Sequence, residues 1–316
     1  MVTLARNAMA TRFEIALHGD NPVALRAAGE EALDEIDRLE NQISPYRPTS
    51  EIAHLNARAA RGPVRVSPTI FSLLAHAQKL SHETGGAFDL TIAPLVRCWG
   101  FVNGLGRLPT DDEITDARSK IGMHLVQLDE KNSTVRFTRE GVMLDLGAIG
   151  KGFAIERAAE LLRDAGITSA LIHGGTSTVY ALGHPPDSDS WKVAIENPFE
   201  QTATDASTNQ SAPALPAFSL RDEALSVSAI WGRSFQSEGK TLGHVLDPRT
   251  GQPVTTTLLA AVVLPSATET DALSTALLVT GSNETISRLR PNMRTLLLTE
   301  SAGKMILNGT ALSIQT

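Results

Sequence analysis

Hydrophobic and polar residues recur with helical spacing between residues 22 and 43. Aliphatic and small side chains repeat every three or four positions, at Leu25, Ala28, Ala32, Leu33, Ile36, Leu39 and Ile43. The intervening positions carry acidic side chains, at Glu30, Glu31, Asp34, Glu35, Asp37 and Glu40. This spacing places one stripe of side chains on one face of an α-helix, and Pro22 suits a first helical turn. The pattern predicts an amphipathic helix over 22–43 with a solvated acidic face.

Capping and turn signals divide the rest of the chain. They predict a helix from Ser67-Pro68 to Gly85-Gly86 and another after Thr110, where Glu113 completes a capping box. Further elements are expected as a hairpin of 125–129 and 134–138, a strand, glycine-rich turn and helix over 142–165, strands at 168–173, 178–182, 191–195, 217–220, 224–228 and 258–264, a turn at 247–251, helices at 267–280 and near 283–290, and a final strand pair. Strands and helices do not alternate strictly, which favours an α+β fold with mixed, largely antiparallel sheets and flanking helices.

Length and composition fit a folded protein with a large core. The chain has 316 residues, of which 42% are hydrophobic. Two domains or one large unit are compatible with this length; we expect a single domain over 1–316, with a flexible, low-complexity surface insertion at 200–216. The formal net charge is −7 and no run of Lys and Arg is present, so nucleic acid is not an expected partner.

Three observations limit the compartment and the redox chemistry. The lone cysteine, Cys98, excludes an intrachain disulfide framework and a cysteine-cluster zinc site. No stretch approaches the roughly 18 apolar residues of a membrane span. The first thirteen residues lack an apolar signal core and a lipidation cysteine, which leaves two locations open. These are the cytoplasm, as the chain is written, or the periplasm with a membrane anchor if an N-terminal signal was removed.

A glycine-rich turn, 147–152, lies between an apolar segment and an amphipathic helix. Backbone N–H groups and the dipole at a helix N-terminus favour a phosphate, and Lys151 adds a full positive charge. The spacing is neither that of a Walker loop nor that of the dinucleotide fingerprint. The turn is therefore either a phosphate site or a structural connection.

Three other segments carry candidate chemistry, each with a structural alternative. Asp271 and Thr275 are four residues apart on a predicted helix and so share a face, which suits Mg²⁺ beside a phosphate, or Asp271 caps the helix. His244 is expected on a strand just before a proline–glycine turn and is either a general base or a structural histidine. Asp89 follows Gly85-Gly86 and either accepts hydrogen bonds from a sugar or base, or simply follows a helix stop.

The order and spacing of these segments resemble the FAD:protein FMN transferase (ApbE) family. Seven blocks carry the resemblance: Met9-Ala10-Thr11-Arg12-Phe13; Ser44-Pro45-Tyr46 with Ser50-Glu51-Ile52 and Leu55-Asn56; Gly86-Ala87-Phe88-Asp89-Leu90-Thr91 with Pro94-Leu95 and Trp99-Gly100-Phe101; Leu144-Asp145-Leu146-Gly147-Ala148-Ile149-Gly150-Lys151-Gly152; Ile172-His173-Gly174-Gly175; the segment from His244 to Gly251; and Asp271-Ala272-Leu273-Ser274-Thr275-Ala276-Leu277. The resemblance implies a T-fold-like α+β protein whose two lobes enclose FAD.

The resemblance also assigns roles to individual residues. Those implied to bind the flavin nucleotide are Met9, Tyr46, Ala87, Phe88, Asp89, Asp145, Lys151 and Val245. Those implied to bind Mg²⁺ are the carbonyl of Ala148, the carboxylate of Asp271, and groups of Ser274 and Thr275. His244 is implied to lie near the pyrophosphate as the general base.

The implied reaction is Mg²⁺-dependent transfer of FMN from FAD to a Ser or Thr hydroxyl of an acceptor flavoprotein, with release of AMP. The implied partner is a subunit of a redox complex. Attack by water would instead make the chain an FAD pyrophosphatase giving FMN and AMP, and loss of catalysis would leave an FAD-binding protein.

The chain departs from the family pattern at three positions. Alanine occupies position 10 where glycine is usual, and Thr176 follows the paired glycines where an acidic or amide residue is usual. Ala229 ends Ser226-Val227-Ser228-Ala229, where a Thr-Ser-Gly-like element is expected. A methyl group at 229 crowds a backbone approach to ligand and disfavours a positive φ.

Overall fold

The computed structural model describes residues 1–104, 106–196, 215–232, 234–237, 240–301 and 304–310. Its strands are β1 (Val2–Ala8), β2 (Thr11–Leu17), β3 (Val64–Arg65), β4 (Val126–Asp129), β5 (Thr134–Phe137), β6 (Ala170–Gly174), β7 (Thr178–Leu182), β8 (Trp191–Ala194), β9 (Ala217–Leu220), β10 (Glu223–Ala229), β11 (Ser234–Ser237), β12 (Lys240–Gly243), β13 (Thr257–Leu264), β14 (Arg294–Ser301) and β15 (Lys304–Thr310). Its α-helices are α1 (Pro22–Ile43), α2 (Glu51–Arg58), α3 (Pro68–Glu83), α4 (Ala93–Cys98), α5 (Asp111–Arg118), α6 (Gly150–Asp164), α7 (Ala267–Thr280) and α8 (Asn283–Ile286).

Helix α1 has the bounds that its sequence pattern predicts. The side chain of Asn21 accepts hydrogen bonds from the N–H groups of Val23 and Ala24, both at 3.1 Å, and Pro22 occupies the first turn. Every aliphatic and small position of the predicted stripe is buried. Gly29 is buried as well, and a Cβ there would lie 2.4 Å from the side chain of Leu4, so only glycine permits this close approach. The helix therefore packs closely on β1 with its acidic face outward.

The central sheet has eight strands among the described residues, in the order β1-β2-β6-β7-β10-β13-β14-β15. Each of its neighbouring pairs is antiparallel. Smaller antiparallel sheets are formed by β3-β5-β4, β8-β9 and β11-β12. The expectation of an α+β fold with largely antiparallel sheets is confirmed.

Both faces of the sheet are covered, which explains why strand β13 is apolar from Leu258 to Leu264. Ala260 and Val262 belong to the core beneath α7, whereas Ala261 and Val263 belong to a second core on the opposite face. Helices α1 and α6 cover β1, β2 and β6 on the α7 side. Helix α7 is buried almost completely, as expected of a helix that is apolar on most sides.

Several sequence expectations differ from the structure. Residues 142–146 form no strand, although the helix after them is confirmed as α6. The helix expected near 283–290 ends at Ile286, and the β1–β2 hairpin, α2 and α4 were not anticipated. Most of the insertion expected at 200–216 lies outside the described residues, and the single domain over 1–316 stays a prediction. Within the described residues, every helix is too short or too polar to span a bilayer.

Candidate functional site

A cleft of about 1170 Å³ opens where the glycine turn, the ends of β7 and β10, and the segment after β12 meet. Ligand pockets commonly have volumes of roughly 300–1,000 Å³, so this cleft accommodates a dinucleotide. All but one of the predicted site residues line it: Met9, Tyr46, Ala87, Phe88, Asp89, Asp145, Ala148, Lys151, His244, Val245, Asp271 and Thr275. The exception is Ser274, which is fully buried behind Thr275.

The glycine turn uses several of its N–H groups inside the protein. Gly147 N–H donates to the carboxylate of Asp145 at 2.8 Å, and Gly150 N–H donates to the carbonyl of Leu146, just before the turn, at 2.7 Å. Gly152 N–H donates to Asp271 at 2.9 Å. These three N–H groups are therefore not free to bind a phosphate. The turn contributes the positive end of α6 and the charge of Lys151, whose Nζ lies 3.4 Å from the carbonyl of Gly147.

Asp271 does not cap its own helix. The cap of α7 is Ser266, whose side chain accepts the N–H of Glu269, and Asp271 lies one turn further on at 4% exposure. Its carboxylate instead meets the first turn of the neighbouring helix α6, through Gly152 N–H. The structural alternative for Asp271 was thus assigned to the wrong helix.

Gly152 permits this close contact between the two helices. A Cβ at position 152 would lie 2.1 Å from the carbonyl oxygen of Ala267 and 2.7 Å from Cβ of Asp271. Any larger residue forces α6 and α7 apart. The glycine is therefore required by helix packing, and this packing places the Asp271 carboxylate next to the glycine turn.

Buried hydroxyl groups lie behind the Asp271 carboxylate. Thr178 Oγ1 lies 3.4 Å from Asp271 Oδ1, and Ser226 Oγ lies 3.2 Å from Thr178 Oγ1 and 3.0 Å from Thr270 Oγ1. All three hydroxyl residues are at most 2% exposed. These polar groups are satisfied by one another, so buried hydrogen bonds hold the side of the carboxylate that faces away from the cleft.

A second set of hydroxyl groups reaches the cleft. Ser228 Oγ lies 2.9 Å from Ser274 Oγ and 3.1 Å from Thr275 Oγ1, and Ser274 donates to the backbone carbonyl of Asp271 at 3.0 Å. Ser274 thus supports its neighbours from behind, while Thr275 and Ser228 face the cleft. Ala229 ends β10 opposite Leu259 and is not among the residues with positive φ, so its methyl group introduces no backbone strain.

These oxygen atoms fit a magnesium ion that is completed by a ligand. The part of the cleft around Asp271 offers the carboxylate of that residue, the hydroxyl groups of Thr275 and Ser228, and the segment of Ala148. Mg²⁺ is commonly held by one or two carboxylates together with substrate phosphates, rather than by a closed protein cage. No cluster of three or more His, Cys, Asp or Glu suited to a metal occurs in the described part of the chain.

His244 also lines the cleft, half-buried, on a bend just after β12 rather than on the strand that the sequence predicts. The segment after it is rigid. Asp247 N–H donates to the carbonyl of Gln252 at 2.8 Å, and Trp99 Nε1 donates to the carbonyl of Gly251 at 2.8 Å. Asp247 also raises the pKa of Arg249 through a hydrogen-bonded ion pair. The imidazole is therefore carried on a fixed loop.

The third wall combines Tyr46 with the segment that follows α3. Tyr46 is 59% exposed at the rim, whereas Phe88 and Asp89 are buried. The carboxylate of Asp89 accepts hydrogen bonds from the backbone N–H groups of Thr91 (2.8 Å) and Met123 (3.0 Å), besides two hydroxyl groups. Its oxygens are engaged in holding the fold, which favours a structural role, and its direct contact with flavin stays a prediction.

The half-buried Cys98 is no nucleophile candidate. Burial raises the pKa of its thiol, so the reactive thiolate is disfavoured.

The model of the ApbE family matches residues 9–297 of this sequence. The chain belongs to the ApbE family. An FAD:protein FMN transferase of Treponema pallidum is 30% identical over 295 residues, which cover 89% of this chain and 79% of that protein. One from Klebsiella pneumoniae is 29% identical over 264 residues, covering 82% of this chain and 71% of that protein.

Solved structures of ApbE proteins have the same fold. The ApbE protein of Thermotoga maritima is 25% identical with a TM-score of 0.83, over 98% of this chain and 97% of its own. The apo form of the flavinyl transferase ApbE of Pseudomonas stutzeri is 26% identical with a TM-score of 0.83, over 98% of this chain and 94% of its own. The expected family, fold class and enzyme class, a transferase, are confirmed.

Sequence reasoning missed the hydroxyl residues that join the ApbE site to the sheet. Ser226 and Ser228 alternate along β10, so both face α7, and Thr178 is opposite Ser226 in the register of β7 and β10. The sequence does carry one signal for them: polar residues at every second position of an apolar strand lie on the same face, because the side chains of positions i and i+2 share a face. The partners on α7 become visible only once the topology is known.

Proposed function

We propose that this ApbE protein transfers the FMN half of FAD to a Ser or Thr hydroxyl of an acceptor flavoprotein, in a Mg²⁺-dependent reaction that releases AMP. One observation carries the proposal. A single cleft brings together a cation (Lys151), a buried carboxylate with hydroxyl groups (Asp271 and Thr275) and an imidazole (His244). The names of the relatives, FAD:protein FMN transferase, supply the substrates.

Binding of FAD follows from the chemistry of the walls. Lys151 and the positive end of α6 attract the pyrophosphate in a protein whose formal net charge is −7. Tyr46 and Met9, which also line the cleft, offer aromatic and apolar surface for flat rings. The pyrophosphate thus lies between the glycine turn and the carboxylate of Asp271.

Asp271, Thr275 and the carbonyl of Ala148 would hold the metal, and Ser274 would support them from behind. When bound, Mg²⁺ supplies charge neutralisation and orientation of the pyrophosphate oxygens. The rest of the chemistry belongs to the protein. Lys151 stabilises negative charge that develops on phosphate oxygens.

His244 would accept the proton from the acceptor hydroxyl. A hydroxyl is a weak nucleophile at neutral pH, and an imidazole titrates in the right range to activate it. The hydroxyl oxygen then bonds to the phosphorus on the FMN side, the bond to the AMP phosphate breaks, and AMP leaves. We propose a subunit of a redox complex as the acceptor.

The test is transfer of flavin from FAD to a threonine-containing acceptor peptide. With Mg²⁺ present, the peptide becomes covalently fluorescent and AMP accumulates. General-base catalysis contributes about 10²–10⁴-fold, so His244→Ala lowers the rate by at least ~10²-fold. His54→Ala, an exposed histidine that does not line the cleft, is the matched control. An unchanged rate in His244→Ala removes His244 from the mechanism.

Asp271→Asn separates the charge of this residue from its hydrogen bond. The amide oxygen still accepts Gly152 N–H, but a neutral group binds Mg²⁺ weakly. We expect loss of metal-dependent transfer with little loss of stability. The control is Asp222→Asn, since Asp222 accepts the N–H of Gly183 at 3.0 Å outside the cleft. Transfer that survives in Asp271→Asn, or after metal removal by chelation, contradicts the metal assignment.

A further inference from the structure

Glu156, on the second turn of α6, is bonded to the start of α7. Its Oε2 accepts the backbone N–H of Thr268 at 2.7 Å and the hydroxyl of Ser266 at 2.8 Å. Ser266 is itself the N-cap of α7. A carboxylate at a helix N-terminus compensates its unpaired N–H groups and its dipole. Glu156 therefore caps α7 from a neighbouring helix.

Asp271 makes the reciprocal contact, from α7 to the start of α6. It projects from α7 and accepts Gly152 N–H in the first turn of α6 at 2.9 Å. Gly152 and Glu156 are four residues apart and so share one face of α6. Thr268 and Asp271 are three residues apart and share one face of α7. Each helix thus caps the other through an acidic side chain, at two points one turn apart.

Two such points fix both the separation and the register of the helices. One point alone allows α7 to slide or rotate about it. The glycine turn begins α6 and Asp271 lies on α7, so the distance from Ala148 and Lys151 to the Asp271 carboxylate depends on this register. Glu156 itself does not line the cleft. We propose that Glu156 is a positioning residue, which sets the metal-binding geometry of Asp271 from outside the cleft.

The proposal rests on the proposed metal dependence but is tested by binding as well as by activity. Mn²⁺, which suits the same oxygen ligands as Mg²⁺, is titrated into the protein in the presence of FAD and followed by electron paramagnetic resonance. Residues that support metal ligands typically change metal affinity by 10–100-fold. Glu156→Ala is expected to raise the dissociation constant of Mn²⁺ and the Mg²⁺ concentration for half-maximal transfer by at least ~10-fold.

Two variants separate positioning from capping alone. Glu156→Gln retains an acceptor oxygen and is expected to restore metal affinity to within a few-fold of the wild type. Asn21→Ala removes a cap of comparable kind from α1, where two N–H groups lose their acceptor away from the cleft. It is expected to lower the melting temperature by a few degrees and leave metal affinity unchanged.

The outcomes are distinct. A Glu156→Ala variant that melts earlier but binds Mn²⁺ as tightly as the wild type overturns the proposal, because Glu156 is then only a cap. If Glu156→Ala does not fold, Ser266→Ala, which removes one of the two contacts, takes its place with the same criterion. If the wild type binds Mn²⁺ and transfers no FMN, the proposed function fails, while weaker Mn²⁺ binding by Glu156→Ala still supports the positioning role.

Discussion

Replacing Gly152 by alanine tests whether helix packing controls the site. The added Cβ would lie 2.1 Å from the carbonyl oxygen of Ala267, whereas such contacts are essentially never shorter than 3.0 Å. The difference, about 0.9 Å, is the least by which α6 and α7 must separate. The Asp271 carboxylate moves with α7, away from the glycine turn and from Gly152 N–H.

The effect on stability is small because two terms oppose each other. Overpacking costs about 1–3 kcal/mol, whereas alanine in place of glycine in a helix contributes roughly 0.5–1 kcal/mol. The free energy of unfolding therefore falls by about 0–2.5 kcal/mol. The effect on activity is larger, since misplacing a reacting group by about 1 Å can cost ~10²-fold in rate.

The assay measures FMN transfer against Mg²⁺ concentration, alongside denaturant unfolding. Gly152→Ala is expected to lose about 10²-fold in transfer at a given Mg²⁺ concentration while staying folded. Gly62→Ala is the matched control, because a Cβ at Gly62 meets no atom within 4 Å and its φ is unstrained. Wild-type transfer and metal dependence in Gly152→Ala would refute the reasoning.

Two predictions concern stability. Ala10 occupies the two-residue β1–β2 turn with φ 58°. Ala10→Gly is therefore expected to raise the free energy of unfolding, measured by urea titration, by roughly 0.5–1 kcal/mol. The control Ala57→Gly, in α2, is expected to lower it by a similar amount, and equal changes in both variants would contradict this explanation. Burial raises the pKa of Glu269 but the hydrogen bonds and charge of Arg290 lower it more, and its pKa lies below 4.5. A lowered carboxyl pKa supplies stability that is present above the unfolded pKa and lost as pH falls through the folded one. In Glu269→Gln, the melting temperature is therefore expected to fall less steeply as the pH is lowered below 4.5 than in the wild type. An unchanged dependence of the melting temperature on pH in this acidic range would contradict the role of the Glu269–Arg290 pair.

Local signals in the sequence predicted the helices well. For α1, α3 and α7, a cap, a first-turn proline or a terminal glycine coincides with an apolar pattern, so local and tertiary preferences agree. The strand expected at 142–146 fails because an apolar run only indicates burial. There Leu144 is bonded to the side chain of Asn56 instead of to a neighbouring strand.

The family resemblance named residues that share one cleft, but it did not give their geometry. Lys151, His244 and Asp271 all line that cleft, and their roles in binding and catalysis stay predictions. The reciprocal caps of α6 and α7 were not visible, since Gly152 and Asp271 are 119 positions apart in sequence. Contacts over such separations are set by topology rather than by local pattern.

The central claim is tested most directly by the mass and fluorescence of an acceptor peptide after incubation with FAD, Mg²⁺ and the protein. The claim predicts covalent FMN on the threonine and one AMP for each peptide modified. Free FMN and AMP with an unmodified peptide would identify a pyrophosphatase, and intact FAD would identify a binding protein. Either of these results contradicts the claim.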